Sequence, residues 1–359
     1  MNIANAAVSL SALQHNLAAL RALAPASKVL VVIKANAYGH GMLQVAKCLQ
    51  QYADGFAVAR TNEALTLRQA GINSKLLVLE GFFDEAEALI LASNDISTVI
   101  HSEQQLIQLE TLRLPNPLDT WIKLDTGMHR LGLLPEQFTA LMPRIEACHN
   151  IQTKPTFISH FACADEIEHP LNRKQIAEFN DLCEGYDVEA SLANSAGILL
   201  WPDSHKDWNR PGISIYGISP QIDNTGKDLN LLPVMTLQSN LIAVREHPKG
   251  ETVGYGATWQ AEQDTRLGVV AMGYGDGYPR SAPSGTPVWV NGRLVPIVGR
   301  VSMDMLCVDL GAKATDSVGD RVVLWGAELP VETVAKAVGT IAYELVTKLT
   351  SRVRLSYIK

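Results

Sequence analysis

No apolar run in this 359-residue chain approaches the ~20 residues a bilayer crossing requires, which excludes a helical membrane protein. The five cysteines (Cys48, Cys148, Cys163, Cys183, Cys307) are scattered and form no C-x-x-C pair. That usage excludes a disulfide framework and a zinc site, and no metal is expected. An excess of positive charge is also absent. The net charge of −7 argues against nucleic acid or an anionic membrane as partner. The opening MNIANAAVSL has neither a basic start nor a small-residue cleavage site after an apolar core, so it does not read as a secretory signal. The expectation is a soluble cytoplasmic protein. The chain also contains no repeat, low-complexity tract or long charge run.

What is present is a globular composition, 47% hydrophobic and 19% charged, on a length that suits two domains or one large barrel with an appendix. Short apolar runs alternate with helical spacing as far as Gly217. The runs are Lys28–Ala35, Asp54–Ala59, Lys75–Glu80, Ile96–Ile100, Thr120–Asp125, Pro155–Phe161, Glu189–Asn194 and Gly212–Tyr216. Strands separated by helices pair in parallel through right-handed crossovers, and about eight such units close a (β/α)8 barrel. A doubly wound dinucleotide-binding sheet would open with G-x-G-x-x-G, and none follows the first run. Past Pro233 the pattern turns to alternating segments, with Asn291-Gly292 as a type I′ hairpin signal between Val288–Val290 and Leu294–Ile297. The reading is α/β: an N-terminal barrel over residues 1–232 and a mostly β domain over residues 233–359. The first ten residues could add a strand to the latter.

The stretch KVLVVIKANAYGHG is the most informative. A β-branched run suited to burial on both faces ends on Lys34. An ammonium buried there without a partner is costly unless its pKa falls, and a lysine of depressed pKa is what Schiff-base chemistry needs. The plainer possibility is that Lys34 snorkels into water, and the local sequence leaves both open. In a barrel, reactive groups gather at the carboxyl ends of strands. Those ends carry Lys34, Lys123, Asp125, His160, Asn194 and Ser195, with Arg210 just before the last run. A lysine, small residues near a strand end and an arginine suit an aldehyde cofactor bearing a phosphate, such as pyridoxal phosphate. The second domain adds glycine-flanked Tyr255 and Tyr274, which a pair of hairpin turns would also explain, and Met303-Asp304.

At this point the chain resembles the bacterial alanine racemases. KANAYGHG, KLDTGMHRLG, SHFACAD, NRPGISIYG, VGYGATW and GRVSMDM occur in that family's order and span nearly the whole chain. The resemblance implies a fold-type III pyridoxal-phosphate enzyme that interconverts L- and D-alanine for cell-wall precursor supply or consumption. It also implies a TIM barrel with a C-terminal β domain and a homodimer with shared active sites. By motif, Lys34 matches the lysine that holds the cofactor aldehyde and serves as one base. Tyr255 matches the opposing base, given by the other subunit. Arg210 matches the partner of the pyridine nitrogen, and His160 the residue beside the ring. Tyr38, Ser195, Gly212, Ile213 and Tyr343 match the phosphate pocket, which Asn194 borders. Arg130 and Met303 match residues facing the substrate carboxylate, and Lys123 a lysine often carbamylated. Two alternatives are a basic amino-acid decarboxylase of the same fold type, which needs no second base, and a non-catalytic pyridoxal-phosphate carrier on a lone barrel. The expected chemistry takes a small amino acid as substrate.

Overall fold

The structure, a computed structural model, describes residues 4–152 and 154–359. The chain divides into two compact units. One comprises Asn16–Ala37 and Met42–Ile215. The other takes the stretch up to His15, Tyr38–Gly41 and Tyr216–Lys359.

The first unit is built on an eight-stranded sheet paired in parallel throughout. Its strands run in the order Ala190–Ser191, Thr156–Ile158, Thr120–Lys123, Ser97–Ile100, Lys75–Val78, Gly55–Val58, Lys28–Val32 and Trp208–Asn209. Valine, leucine, isoleucine and phenylalanine dominate because helices cover the outer face and side chains fill the inner one. The two end strands approach each other. The Ser191 hydroxyl donates to the Trp208 carbonyl at 2.7 Å, and the Arg210 N–H donates to the Ala193 carbonyl at 2.9 Å. The result is the nearly closed barrel that the alternation of strands and helices predicts.

Two details differ from the sequence reading. The eighth strand is Trp208–Asn209, paired to Lys28 and Val29, whereas Gly212–Tyr216 is not a strand. Ser195 Oγ accepts the N–H groups of Gly212 (2.9 Å) and Ser214 (3.3 Å), and Ile213–Tyr216 winds into a 3₁₀ turn. Arg210 therefore follows the last strand and stands at its carboxyl end with the other candidates. The first strand also stops early, at Val32. Ala35, Asn36, Ala37 and Tyr38 take φ of 51°, 54°, 54° and 49°, a left-handed run that no strand can include.

The two ends of the barrel are electrostatically unlike. At the amino ends of the strands Lys28 pairs with Glu189 and Lys75 with Asp119, while the Lys75 ammonium lies 5.9 Å from the Trp121 ring and 5.7 Å from the Trp208 ring. These charges are matched, as befits the stabilising face of a barrel.

The second unit is mostly β. Its eight-stranded sheet runs Thr265–Val270, Leu306–Asp309, Arg293–Val298, Pro287–Val290, Arg321–Trp325, Met235–His247, Asn5–Ser9 and Arg354–Ile358. Met235–His247 also pairs with Thr265–Val270. Asn5–Ser9 lies antiparallel to Met235–His247 and parallel to Arg354–Ile358, while residues 1–3 fall outside the described residues. Asn291 and Gly292 take φ of 44° and 86°, both positive as a type I′ turn requires. The sequence reading missed Arg321–Trp325 and Arg354–Ile358. The former is a continuous buried apolar run without alternation, and the latter is a short terminal segment.

Candidate active site

Lys34 leaves the first barrel strand one residue after Ile33 and is half-buried. The left-handed turn behind it is held by three contacts within the barrel unit. The Ala35 N–H donates to Glu63 Oε1 at 2.7 Å, the Ala37 N–H to the Ile33 carbonyl at 2.8 Å, and the Met42 N–H to Asn36 Oδ1 at 2.9 Å. Left-handed residues other than glycine cost roughly 1–2 kcal/mol each. Charge-assisted bonds to Glu63 offset part of that, since its second oxygen also takes the N–H groups of Ala59 and Arg60. Sequence reasoning missed Glu63. Its only signal is a glutamate in the first turn of the helix Thr61–Gln69.

The carboxyl end of the barrel is crowded with cations. Burial lowers the pKa of Lys34, and the Arg130 guanidinium lowers it further against the weaker pull of Glu80 and Glu63. Lys123 is pushed down to about 7 by burial and by Arg210 and Arg130, with Asp125 opposing. Burial and the same cations hold His160 well below its ordinary range, so the ring is neutral. Burial brings Arg210 down to about 9, which leaves it charged at neutral pH. Arg210 is anchored by Ser191 Oγ (2.6 Å) and the Ser159 carbonyl (2.5 Å), and its Nη2 lies 3.5 Å from His160 Nδ1. Gln175 fixes the His160 backbone carbonyl at 3.0 Å.

Arg130 rides on a loop organised by Asp125. One Asp125 oxygen accepts the N–H groups of Gly127 (3.1 Å) and His129 (3.0 Å), and the other lies 3.2 Å from His129 Nδ1. Burial alone would raise the Asp125 pKa, but these donors outweigh it and hold the carboxyl low. His129 sits at φ 51°, a conformation that bulky residues resist.

On the other side of the mouth, Asn194 caps the helix Ser195–Leu200 by accepting the Gly197 N–H at 2.9 Å. Ser195 Oγ accepts two N–H groups, so its own hydroxyl proton is directed elsewhere. Ser214 Oγ is buried with no hydrogen-bond partner among the described residues. Both atoms of the Asn209 amide are likewise buried and unpartnered. A lysine amine of lowered pKa, an anchored guanidinium and hydroxyls lacking acceptors fit a group with an aldehyde and an oxyanion.

The second unit holds the remaining candidates. The rings of Tyr38 and Tyr343 lie 6.0 Å apart, and burial raises the Tyr38 pKa to about 12, so its phenol stays protonated. Tyr255 is 70% exposed, between Gly254 and Gly256 at φ 73° and 76°. Gly256 lies against the Arg300 guanidinium, where an added Cβ would stand 3.3 Å away. Met303 is also exposed, and its carbonyl accepts the Gly275 N–H at 2.8 Å. The segment Gly273–Gly275 thus serves the loop bearing Met303: a Cβ at Gly273 would stand 2.3 Å from that carbonyl. The third glycine of MGYGDGY, Gly277, instead sits at φ 102° against the Lys348 carbonyl. No group of histidine, cysteine or carboxylate side chains able to hold a metal occurs among the described residues.

The Lys123 shift carries a pH consequence. Its folded pKa of about 7 lies below the unfolded value of about 10.4, so the unfolded chain binds more protons between them. The lysine therefore destabilises fully below about pH 7, and that penalty disappears as pH rises through about 10.4. Lys123→Met should stabilise the cofactor-free protein near neutral pH in carbonate-free buffer, with the advantage shrinking toward pH 10 (about the free lysine pKa). Urea unfolding across that range measures it, and a constant difference would show that Lys123 is not depressed.

Residues 8–220 match the family description "Alanine racemase, N-terminal domain", and residues 234–357 match "Alanine racemase, C-terminal domain". An alanine racemase of Shewanella sediminis is 59% identical over 348 residues, covering 97% of each chain. The solved biosynthetic alanine racemase of Pseudomonas aeruginosa superposes with a TM-score of 0.97 at 46% identity, with both chains covered in full. That of Bartonella henselae, described with covalently bound pyridoxal phosphate, gives 0.88 at 31% identity over 99% of each chain. No helix among the described residues is long and apolar enough to cross a membrane. The chain belongs to the alanine racemase family.

Proposed function

We propose that the chain carries out its family's interconversion of L- and D-alanine with pyridoxal phosphate and two bases, Lys34 and Tyr255. The observation that carries this reading is the lowered pKa of Lys34 at the carboxyl end of the barrel, beside Arg130, Lys123 and Arg210. When bound, the cofactor supplies an aldehyde that condenses with amines and a ring that acidifies the α-proton of the attached amino acid. Lys34 would hold the cofactor and move a proton at one face of Cα. Ser195, the Gly212–Ile213 backbone, Tyr38 and Tyr343 would bind its phosphate, with Asn194 fixing the adjoining helix start. A Tyr38 phenol that keeps its proton is a donor suited to an anion.

Arg210, anchored and cationic, would meet the ring nitrogen as a donor and leave it without a proton. His160, neutral, would lie beside the ring. Arg130 and the Met303 backbone would face the substrate carboxylate. Lys123, whose amine is half neutral near pH 7, is competent to attack carbon dioxide. A C–N bond forms, a proton leaves to water, and the resulting carbamate anion would steady Arg130. Protein equilibrated with ¹³C-bicarbonate should show a carbamate resonance that Lys123→Met lacks. Its absence from the unaltered protein would remove this role.

Tyr255 is exposed, as are Tyr274, Met303 and Met305 of the same unit. Large apolar side chains left exposed suit self-association, and a homodimer would deliver Tyr255 to the site of the partner subunit. None of the five cysteines forms a disulfide, which agrees with a cytoplasmic setting. Tyr255→Phe should lower the L-to-D rate by about 10²–10⁴-fold, the ordinary yield of a positioned acid–base group, while cofactor content stays constant. Circular dichroism of L-alanine turnover reads the rate, and an undiminished rate would end the two-base assignment.

A further inference from the structure

We propose that Gln175 is a positioning residue of the barrel mouth, whose buried amide sets the His160 ring against Arg210. The proposal rests on reading His160 and Arg210 as the residues that would meet the cofactor ring. Gln175 lies on the helix Leu171–Cys183, whose buried positions are Asn172, Gln175, Ile176 and Phe179. That spacing is the core-facing stripe of an amphipathic helix, and leucine would fill it at no polar cost. Two fully buried amides stand there instead. Burying an amide is costly unless it is hydrogen-bonded, so the partners show what each one holds. Asn172 Nδ2 donates to the carbonyls of Cys163 (2.9 Å) and Glu166 (2.8 Å), which secures the far part of the loop after the strand Thr156–Ile158. Gln175 takes the near part. Its Nε2 donates to the His160 carbonyl at 3.0 Å, and its Oε1 accepts the Ala162 N–H at 3.0 Å. Two bonds from one planar group fix both the place and the twist of the backbone between those residues.

The backbone held in this way carries both partners of one Arg210 nitrogen. Nη2 donates to the Ser159 carbonyl at 2.5 Å and lies 3.5 Å from His160 Nδ1. Ser159 is braced in turn by the neighbouring strand end. Its hydroxyl donates to the Leu124 carbonyl at 2.8 Å and lies 2.8 Å from Thr126 Oγ1, which is 3.4 Å from Gln175 Nε2. A guanidinium only donates. The His160 nitrogen that faces it is therefore the bare one, and the neutral ring carries its proton on Nε2. Without the Gln175 amide the His160 backbone loses its tether, the ring leaves Arg210, and the guanidinium is free to turn away from its present direction.

Nitrogen NMR of cofactor-free protein carrying ¹⁵N-histidine, with His160 assigned by its loss in His160→Asn, reads the tautomer at neutral pH. The unaltered protein should give two well-separated His160 resonances, one from a bare nitrogen and one from a protonated nitrogen. In Gln175→Met, which keeps the volume and removes both bonds, the two should move together as the freed ring exchanges tautomers. Loaded with pyridoxal phosphate, the same variant should lose roughly 10- to 10²-fold in kcat, the penalty of a misplacement of about 1 Å. The KM for alanine should hardly move, because the substrate carboxylate is met elsewhere. Asn172→Met is the control. It removes two buried bonds from the same helix and should leave the resonances apart and kcat near that of the unaltered protein. Should Gln175→Met fail to fold, Gln175→Glu at pH 8 takes its place, since it keeps the oxygen that accepts from Ala162 and turns the donor into a second acceptor. Averaged resonances in the unaltered protein, separate ones in the Gln175 variant, or an equal collapse in Asn172→Met overturn the proposal. So does an unchanged kcat where Arg210→Gln lowers it. If Arg210→Gln itself leaves kcat unchanged, the reading of the cofactor site has failed instead, and the NMR result alone decides whether Gln175 sets the ring.

Discussion

The structure depends on a concentration of positive charge at one end of a nearly closed parallel barrel. Lys34, Lys123, Arg130 and Arg210 meet where the strands end, and none of them makes an ion pair among the described residues. At the other end Lys28 and Lys75 each have a carboxylate. The same residue type is thus spent in two ways. Matched lysines form ion pairs that hold the strand ends. Unmatched, partly buried ones have their pKa lowered, which favours the nucleophilic amine. The Arg210 guanidinium, at about 9, is still charged at neutral pH and is one of the charges that enforce this.

The backbone supports the arrangement at some cost. Four successive left-handed residues follow Lys34, so the chain reverses sharply just where the strand would otherwise carry the lysine away from the mouth. Glu63 holds that turn, and Asp125 holds the loop bearing Arg130. Both carboxylates set geometry through backbone N–H groups, and their pull on the lysines is outweighed by burial and the guanidiniums. Strain collected at a site and over-determined by its surroundings is a familiar mark of function.

Much of this was legible in the sequence. Alternating apolar runs and helical spacing imply the barrel, and Asn291-Gly292 implies its hairpin, because each rests on local periodicity or a single turn geometry. The lysine at the end of a β-branched run announced itself for the same reason. The eighth strand was misplaced because Gly212–Tyr216 is apolar enough for a strand, while the contact that excludes it comes from Ser195, seventeen positions away. The left-handed run was invisible since Ala, Asn, Ala and Tyr carry no common signal for positive φ. Glu63 and Ser191 were missed because the partners that matter at the site, the Ala35 N–H and the Arg210 guanidinium, are distant in sequence.

The account stands on the protonation of one amine. Heteronuclear NMR of cofactor-free protein carrying ¹⁵N-lysine, with Lys34 assigned by its loss in Lys34→Ala, follows the titration of that Nζ directly. The midpoint should fall below the ordinary lysine value of about 10.4 and rise toward it in Arg130→Ala. A midpoint at or above that value, unmoved by removal of Arg130, would contradict the account.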